Sequence, residues 1–171
     1  MSPAPVDRVD AVELAGRAAI VERRLDLDRM SRLAEAGALA GTSVHARLAF
    51  DTFDGHPTVA VHVEGVVVLA CQRCLRPCTS TIDETATLAI VSSGDEEVPG
   101  GHEPLLGDAG HLSLGELIEE QVLLGLPLVA MHADVAQCAV HRPAEADGAD
   151  ASEEKQRPFA NLRALLDEGK G

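Results

Sequence analysis

A Cys-x-x-Cys turn follows an apolar run in the stretch Val66-Val67-Val68-Leu69-Ala70-Cys71-Gln72-Arg73-Cys74-Leu75-Arg76-Pro77-Cys78. A second run rich in β-branched residues, 79–91, leaves the turn. Two such runs joined by a short turn predict a pair of antiparallel strands. Both thiolates of a turn of this kind can point at one metal ion, as in a zinc knuckle. The sequence therefore predicts a metal-binding hairpin near the middle of the chain.

The metal would need further ligands from outside the turn. Cys78 follows the turn closely, and the fourth cysteine, Cys138, lies in a segment that also holds His132 and His141. Thiolate and imidazole are ligands that zinc prefers, and four of them complete a tetrahedral structural site. The sequence leaves open which of these residues join the turn.

Other uses of the Cys-x-x-Cys turn fit the sequence less well. A thiol oxidoreductase places its attacking cysteine at the start of a helix, whereas Pro77 and the Thr-rich run after it oppose a helix. An iron–sulfur cluster could use all four cysteines, but their spacing matches neither common ferredoxin pattern. The remaining alternative is that the cysteines are small buried apolar residues. The hairpin context favours zinc.

Composition and charge limit the partners of this chain. Its 171 residues are 46% hydrophobic, which predicts one compact domain, and they include three Phe but no Tyr or Trp on which bases could stack. Residues 1–90 hold nine basic and twelve acidic side chains, whereas residues 91–171 hold five and sixteen. The C-terminal half therefore repels phosphate, and RNA contact would use N-terminal arginines or pass through a basic protein. Those arginines, otherwise interpreted as a solvated helix face, are Arg17, Arg23, Arg24, Arg29 and Arg32.

The sequence predicts a cytoplasmic protein without catalytic activity. Residues 1–10 are polar, unlike a secretory signal, and the apolar run 66–70 is too short to span a membrane. Phosphate-binding, hydrolase and metalloprotease motifs are missing from the sequence. The neighbouring acids Glu119 and Glu120 should point apart on a helix, which favours a solvated face over an acid–base pair. We expect no small-molecule substrate, and no cofactor other than zinc.

The order of predicted elements is that of an α+β protein: an antiparallel β-sheet with a Cys-x-x-Cys hairpin turn, packed by flanking α-helices. A helix is predicted from Asp10 to about Leu25, and a shorter one after Asp28. Strands are predicted over residues 43–50, 58–70 and 79–91.

The second half of the chain combines a loop, a clear helix and a polar tail. Residues 92–110 are rich in Gly, Asp, Glu and Pro and predict a mobile surface loop. Ser113-Leu-Gly-Glu116 forms a capping box that opens the clearest helix of the chain, and Pro127 ends it. The predicted organisation is a single α+β domain over 1–141, a flexible acidic linker over 142–157 and a C-terminal helix docking on the domain over 158–171.

Four stretches in a fixed order carry a resemblance to a known family. They are Cys71-Gln-Arg-Cys74 after a Val-rich strand, the segment 115–129, His132 followed by Cys138, and Pro158-Phe-Ala-Asn-Leu162. In this order they resemble the YceD family of bacterial and plastid proteins, also called large ribosomal RNA subunit accumulation proteins. Together these stretches cover most of the chain beyond its N-terminal part.

The resemblance implies a non-enzymatic factor that supports accumulation or processing of large-subunit ribosomal RNA and biogenesis of the large ribosomal subunit. Its partner would be that RNA or its precursor, contacted directly or through a basic ribosomal protein. No contact with a membrane is expected. Competing interpretations are a zinc- or thiol-dependent oxidoreductase and an adaptor that binds only protein. The predicted metal ligands are Cys71, Cys74, His132 and Cys138, with Cys78 or His141 as alternatives.

Overall fold

The computed structural model describes residues 8–94, 96, 98 and 100–139. Its helices and strands, named in chain order, are β1 (Arg8–Val9), α1 (Ala11–Gly16), β2 (Ile20–Asp26), α2 (Ser31–Glu35), β3 (Leu39–Phe53), β4 (His56–Ala70), β5 (Pro77–Val91), β6 (Glu103–Leu106), β7 (Leu112–Ser113), α3 (Leu114–Leu124) and α4 (Ala136–Ala139). Single 3₁₀ turns occur at Leu27–Arg29 and Ala109–His111.

Five strands form one sheet in the order β2-β3-β4-β5-β6. All neighbouring pairs are antiparallel except β5 and β6, which run parallel. A separate short pair joins β1 to β7. The α+β class and the mainly antiparallel sheet are therefore confirmed, with one parallel edge strand added.

One face of the sheet carries the core. Alternate residues of β3 and β4 lie opposite one another on this face, for example Ala46 opposite Val63 and Leu48 opposite Val61, and all four are buried. The helices α1 and α3 bury Leu14 and Ile118 in the same cluster. Because successive side chains of a strand point to opposite faces, the residues between these apolar ones remain on the outer face.

The helix predicted from Asp10 to about Leu25 is wrong beyond Gly16. Asp10 does cap a helix, since its carboxylate accepts a hydrogen bond from the Glu13 amide at 3.0 Å. Ala18 then adopts a left-handed backbone with φ 48°, which stops the helix. Ile20–Asp26 follows as β2 and pairs with β3. The short helix predicted after Asp28 is confirmed as α2.

The three predicted strands are confirmed and extend beyond their predicted limits. β4 passes Gly65 without a break, and here the neighbouring strand comes very close. A Cβ added at Gly65 would lie 2.5 Å from the carbonyl oxygen of Ser43 and 2.7 Å from the Cα of Val44. Glycine is therefore required at this position for β3 and β4 to pair.

The predicted surface loop 92–110 is wrong in part. It contains β6, which pairs with the end of β5, and a 3₁₀ turn capped by Asp108. Four residues hold too little periodicity to reveal a strand among Gly, Pro and acidic residues. The predicted helix after the capping box is confirmed as α3: Ser113 accepts from the Glu116 amide, and the helix ends at Leu124, before Pro127.

The proposed linker 142–157 and terminal helix 158–171 lie outside the described residues. The same holds for His141, one of the alternative ligands. The domain limits remain predictions for this reason.

Candidate metal centre

Four side chains from two distant segments meet beside the hairpin. They are Cys71 and Cys74 from the connection between β4 and β5, and His132 and Cys138 from the chain after α3. Their ligand atoms all lie within 4.8 Å of one another. The structure thus brings together the four residues that the sequence analysis placed first, and their role as ligands remains a prediction.

The connection between β4 and β5 is a closed turn. The Cys71 amide donates to the carbonyl of Arg76 at 2.8 Å, and the Leu75 amide donates to the carbonyl of Cys71 at 2.8 Å. Leu75 adopts a left-handed backbone with φ 60°, which reverses the chain between the second cysteine and β5. Because the last pair of the ladder is Ala70 with Pro77, both thiols project from the same end of the hairpin.

Two hydrogen bonds fasten the later segment to this turn. The Gln72 amide donates to the carbonyl of Ala130 at 2.9 Å, and the Arg73 guanidinium donates to the carbonyl of His132 at 2.6 Å. Asp134 then accepts from the Ala136 amide at 2.8 Å and starts the short α4, which carries Cys138. The position of the cluster is therefore set by backbone contacts as well as by its own side chains.

Three of the six distances between ligand atoms match those around a tetrahedral zinc ion, and the others lie within 4.8 Å. Zn–S bonds of about 2.3 Å and Zn–N bonds of about 2.0–2.1 Å at tetrahedral angles place two sulfurs roughly 3.8 Å apart and sulfur roughly 3.6 Å from nitrogen. The sulfurs of Cys71 and Cys138 are 3.9 Å apart. Nδ1 of His132 lies 3.6 Å from the sulfur of Cys74 and 3.5 Å from that of Cys138.

The ring of His132 is oriented by a second contact. Its Nε2 lies 3.1 Å from the carbonyl oxygen of Pro77, which can only accept, so this nitrogen carries the proton. Nδ1 is then the unprotonated nitrogen, and it faces the three sulfurs. A backbone carbonyl that fixes the tautomer of a ligating histidine is the usual arrangement around a protein-bound metal.

The shifted pKa values of the thiols are also consistent with a metal cation at this site. Burial opposes ionisation of Cys71, but hydrogen bonds from the backbone amides of His132, Arg73 and Cys74 outweigh it and lower its pKa to about 5. Burial raises the pKa of Cys138 to about 11, and the neighbouring thiols of Cys74 and Cys71 add to the effect. Several thiolates this close require positive charge between them, which a divalent cation supplies.

Cys78 lies beside Cys71 but is not one of the four residues of the cluster. It is buried at 5% exposure, and its pKa is raised by burial, by the nearby charge of Cys71 and Cys74, and by a hydrogen bond with Cys71. A neutral buried thiol of this kind behaves as a small apolar residue, the role that the sequence analysis kept as an alternative for all the cysteines.

The solvated face predicted for Glu119 and Glu120 is wrong for Glu119, whereas Glu120 is exposed. Glu119 is buried at 5% exposure, and its carboxylate accepts from the Leu33 amide at 2.9 Å. Both carboxylates contact the guanidinium of Arg32, at 3.4 Å and 2.8 Å, and raise its pKa. The pair is a structural link between α2 and α3, which the spacing of residues in the sequence could not reveal.

Among the described residues, no helix is long and apolar enough to cross a membrane.

Comparison with known proteins gives a specific relationship. The model of the family described as large ribosomal RNA subunit accumulation protein YceD matches residues 59–166. A Haemophilus influenzae protein named large ribosomal RNA subunit accumulation protein YceD is 30% identical over 159 residues, covering 84% of this chain and 89% of that protein. No solved structure matches the chain. Because the family model spans more than half of the sequence, including all four residues of the cluster, the chain belongs to the YceD family.

Proposed function

We propose that this protein is a non-enzymatic factor that supports the accumulation of large-subunit ribosomal RNA. The observation that carries the proposal is membership of the YceD family over residues 59–166. The Haemophilus influenzae relative bears the same description and aligns with most of the chain. A role in processing that RNA, and in assembly of the large ribosomal subunit in the cytoplasm, extends the proposal.

In this proposal Cys71, Cys74, His132 and Cys138 hold one structural zinc ion. Four protein ligands leave no open coordination position, and an open position is what a catalytic zinc needs to bind water or substrate. The ion would tie the turn of the hairpin to the segment that follows α3. Its contribution is therefore to the conformation at the turn end of the β4–β5 hairpin.

One observation favours the alternative of a thiol oxidoreductase. The pKa of Cys71 is lowered to about 5, as in reactive cysteines. However, Cys71 is 0% exposed and follows a strand, whereas an attacking thiolate must be reached by its substrate. A stabilised thiolate that solvent cannot reach is better suited to holding a metal ion.

The partner proposed is large-subunit ribosomal RNA, reached through a basic ribosomal protein. The chain carries a net charge of −14, which opposes direct contact with phosphate groups. Acidic side chains attract basic proteins for the same electrostatic reason, and they accelerate the encounter.

The experiment that tests the proposal is deletion of the gene in its own organism, followed by quantification of large- and small-subunit ribosomal RNA. We expect the ratio of large to small to fall and to return when the wild-type chain is supplied. An unchanged ratio in the deletion strain would refute the proposed function. A variant with Cys74→Ser and Cys138→Ser should restore the ratio poorly if the metal centre is needed.

A further inference from the structure

A groove runs along α3 on the side that faces β6. Its volume is about 940 Å³. Six consecutive residues, 103–108, form one wall, and α3 forms the other through Glu116, Leu117, Glu120 and Leu124. Side chains alternate between the two faces of a strand, so consecutive residues border one groove only where it meets the edge of the strand. β6 is an edge strand of the sheet, which agrees with this position.

The groove is strongly acidic. Its charged lining comprises two arginines and five carboxylates. Arg32 already contacts Glu119 and Glu120, and Asp108 contacts His111 at 2.9 Å. Glu103 and Glu116 are exposed and have no ion-pair partner within the part of the chain that the structure describes. These two carboxylates, one on each wall, remain available to a cation.

The α3 wall carries one largely buried amide, that of Gln121. Gln121 lines the groove and is only 7% exposed, yet its side chain makes no hydrogen bond to any described residue. Within the same residues, the one fully enclosed side-chain polar atom without a partner is Nδ1 of His102, so the Gln121 amide keeps access to the groove. A buried amide is normally satisfied, and this one offers both a donor and an acceptor to whatever enters.

Two leucines add apolar surface at the borders of the groove. Leu106 is 65% exposed and Leu124 is 69% exposed, and both belong to its lining. Half-buried Leu105 and buried Leu117 also line it. The groove therefore combines apolar contacts, one amide without a partner among the described residues, and an excess of negative charge.

We propose that this groove binds an extended, Lys- and Arg-rich segment of a protein partner. The cationic side chains contact Glu103 and Glu116, a peptide group pairs with the Gln121 amide, and interspersed apolar side chains cover Leu106 and Leu124. The inference rests on the proposed function, for which it names the surface that a basic ribosomal protein would use. RNA is the less suitable occupant because phosphate would face five carboxylates against two arginines, and the lining holds no Phe, Tyr or Trp.

In this proposal the bound segment is held mainly by its side chains, and less by backbone hydrogen bonds to the edge of β6. β6 has four residues, and Pro104 among them has no amide hydrogen to donate. A segment laid along this edge gains few backbone hydrogen bonds. Selectivity for basic segments therefore follows from charge, and removing charge from the groove should weaken binding strongly.

The experiment uses the full chain and a fluorescent peptide of repeated Lys-Ser-Arg-Leu units, with a Gln-Ser-Gln-Leu peptide as the uncharged control. In fluorescence anisotropy, the double variant Glu103→Lys/Glu116→Lys should lose roughly tenfold or more in affinity for the basic peptide. The control Glu22→Lys/Glu64→Lys makes the same change in net charge on strands that do not line the groove, so it should lose less than about threefold. An equal loss in both variants would reduce the effect to bulk charge and overturn the inference.

A third variant separates binding from folding. Gln121→Leu keeps the volume of the side chain and removes its amide, so we expect weaker peptide binding with an unchanged or higher melting temperature. A lower melting temperature with intact binding would mean that Gln121 is only structural. Tighter direct binding of a labelled single-stranded RNA of matched length than of the basic peptide would also overturn the choice of a peptide.

The same variants distinguish this inference from the proposed function. If Glu103→Lys/Glu116→Lys loses the peptide but fully restores large-subunit ribosomal RNA in the deletion strain, the groove is not used and the proposed function stands. If the wild-type chain is itself dispensable for that RNA, the proposed function fails whatever the peptide shows.

Discussion

Cys78 is the cysteine whose role the geometry separates from those of its neighbours. It follows the turn closely in sequence, so spacing alone could not decide between it and Cys138 as a ligand. In the structure Cys138 joins the cluster from a segment far along the chain, and Cys78 stays buried in β5 as a neutral thiol. The two cysteines should therefore respond differently to substitution.

We expect the wild-type protein to carry about one zinc ion per chain, and Cys78→Ala to carry the same amount. Cys74→Ser and His132→Ala should each lose most of the metal, because three remaining ligands bind zinc more weakly. Metal content of purified protein, measured by atomic emission, checks this. A zinc-free wild-type protein, or loss of zinc from Cys78→Ala, would show that the ligands are assigned wrongly.

Gly65 offers a second test at a single position. Gly65→Ala should destabilise the fold by about 2–4 kcal/mol, because the new methyl group would overlap the backbone of the neighbouring strand. Gly55→Ala is a matched control: Gly55 also has a positive φ, 84°, but nothing lies within 4 Å of its added Cβ. It should lose about 1 kcal/mol from backbone strain alone. Urea unfolding measures both, and equal losses would contradict the steric explanation.

The sequence predicts which residue types could bind the metal. It does not predict the backbone contacts that hold these residues in place. Cys71 and Cys74 are recognisable because a two-residue spacing within a turn places both thiols on one side. The carbonyls of Pro77 and Ala130, which orient His132 and hold its segment, carry no sequence signal, since every residue has a carbonyl. Such contacts depend on how distant segments pack, which local patterns do not encode.

Among the elements, β2 shows why local patterns misassign a segment. Ala18 and Ala19 favour a helix, and the residues after them alternate as Val21, Arg23 and Leu25 on the less exposed side. Arginine at one of the inward positions hides the strand pattern. Pairing with β3 decides the outcome, because seven consecutive partners add hydrogen bonds that a solvent-exposed helix end would not replace.

The contact between α2 and α3 depends on Glu119. The N-cap residue of α2, Met30, makes no side-chain cap, and the Glu119 carboxylate accepts a hydrogen bond from the Leu33 amide in its place. Glu119→Ala should therefore cost about 1–3 kcal/mol, the penalty for a buried amide left without an acceptor. Glu120→Ala removes a half-exposed ion pair with the same Arg32 and should cost less than about 1 kcal/mol. Thermal and urea unfolding would reveal the difference; equal effects would mean that the Leu33 contact contributes little.

Across the molecule, the arginines that the sequence predicted for one helix face lie on different elements. Arg17 follows α1 and contacts Glu13 at 3.6 Å. Arg23 and Arg24 are neighbours on β2, so their side chains leave opposite faces of the sheet. The solvated helix face predicted for Arg23 and Arg24 is wrong, because the strand β2 replaces that part of the helix. Arg23 and Arg24 therefore cannot contact a phosphate backbone from the same face of the sheet.

Direct binding to naked RNA should consequently be weak. We expect a dissociation constant above about 10 µM for large-subunit RNA fragments at physiological salt, in the range of non-specific contact. Arg17→Gln/Arg24→Gln should change large-subunit RNA levels in cells by less than about twofold, since these dispersed cations do not form a phosphate-binding surface.

A basic large-subunit protein should bind more tightly, with an association rate that falls as salt rises, because opposite charges steer the encounter. Stopped-flow association over a salt series, together with RNA quantification, measures these quantities. If the arginine variant abolishes RNA accumulation while Glu103→Lys/Glu116→Lys leaves it intact, the protein contacts RNA itself and the acidic groove has no part in the function.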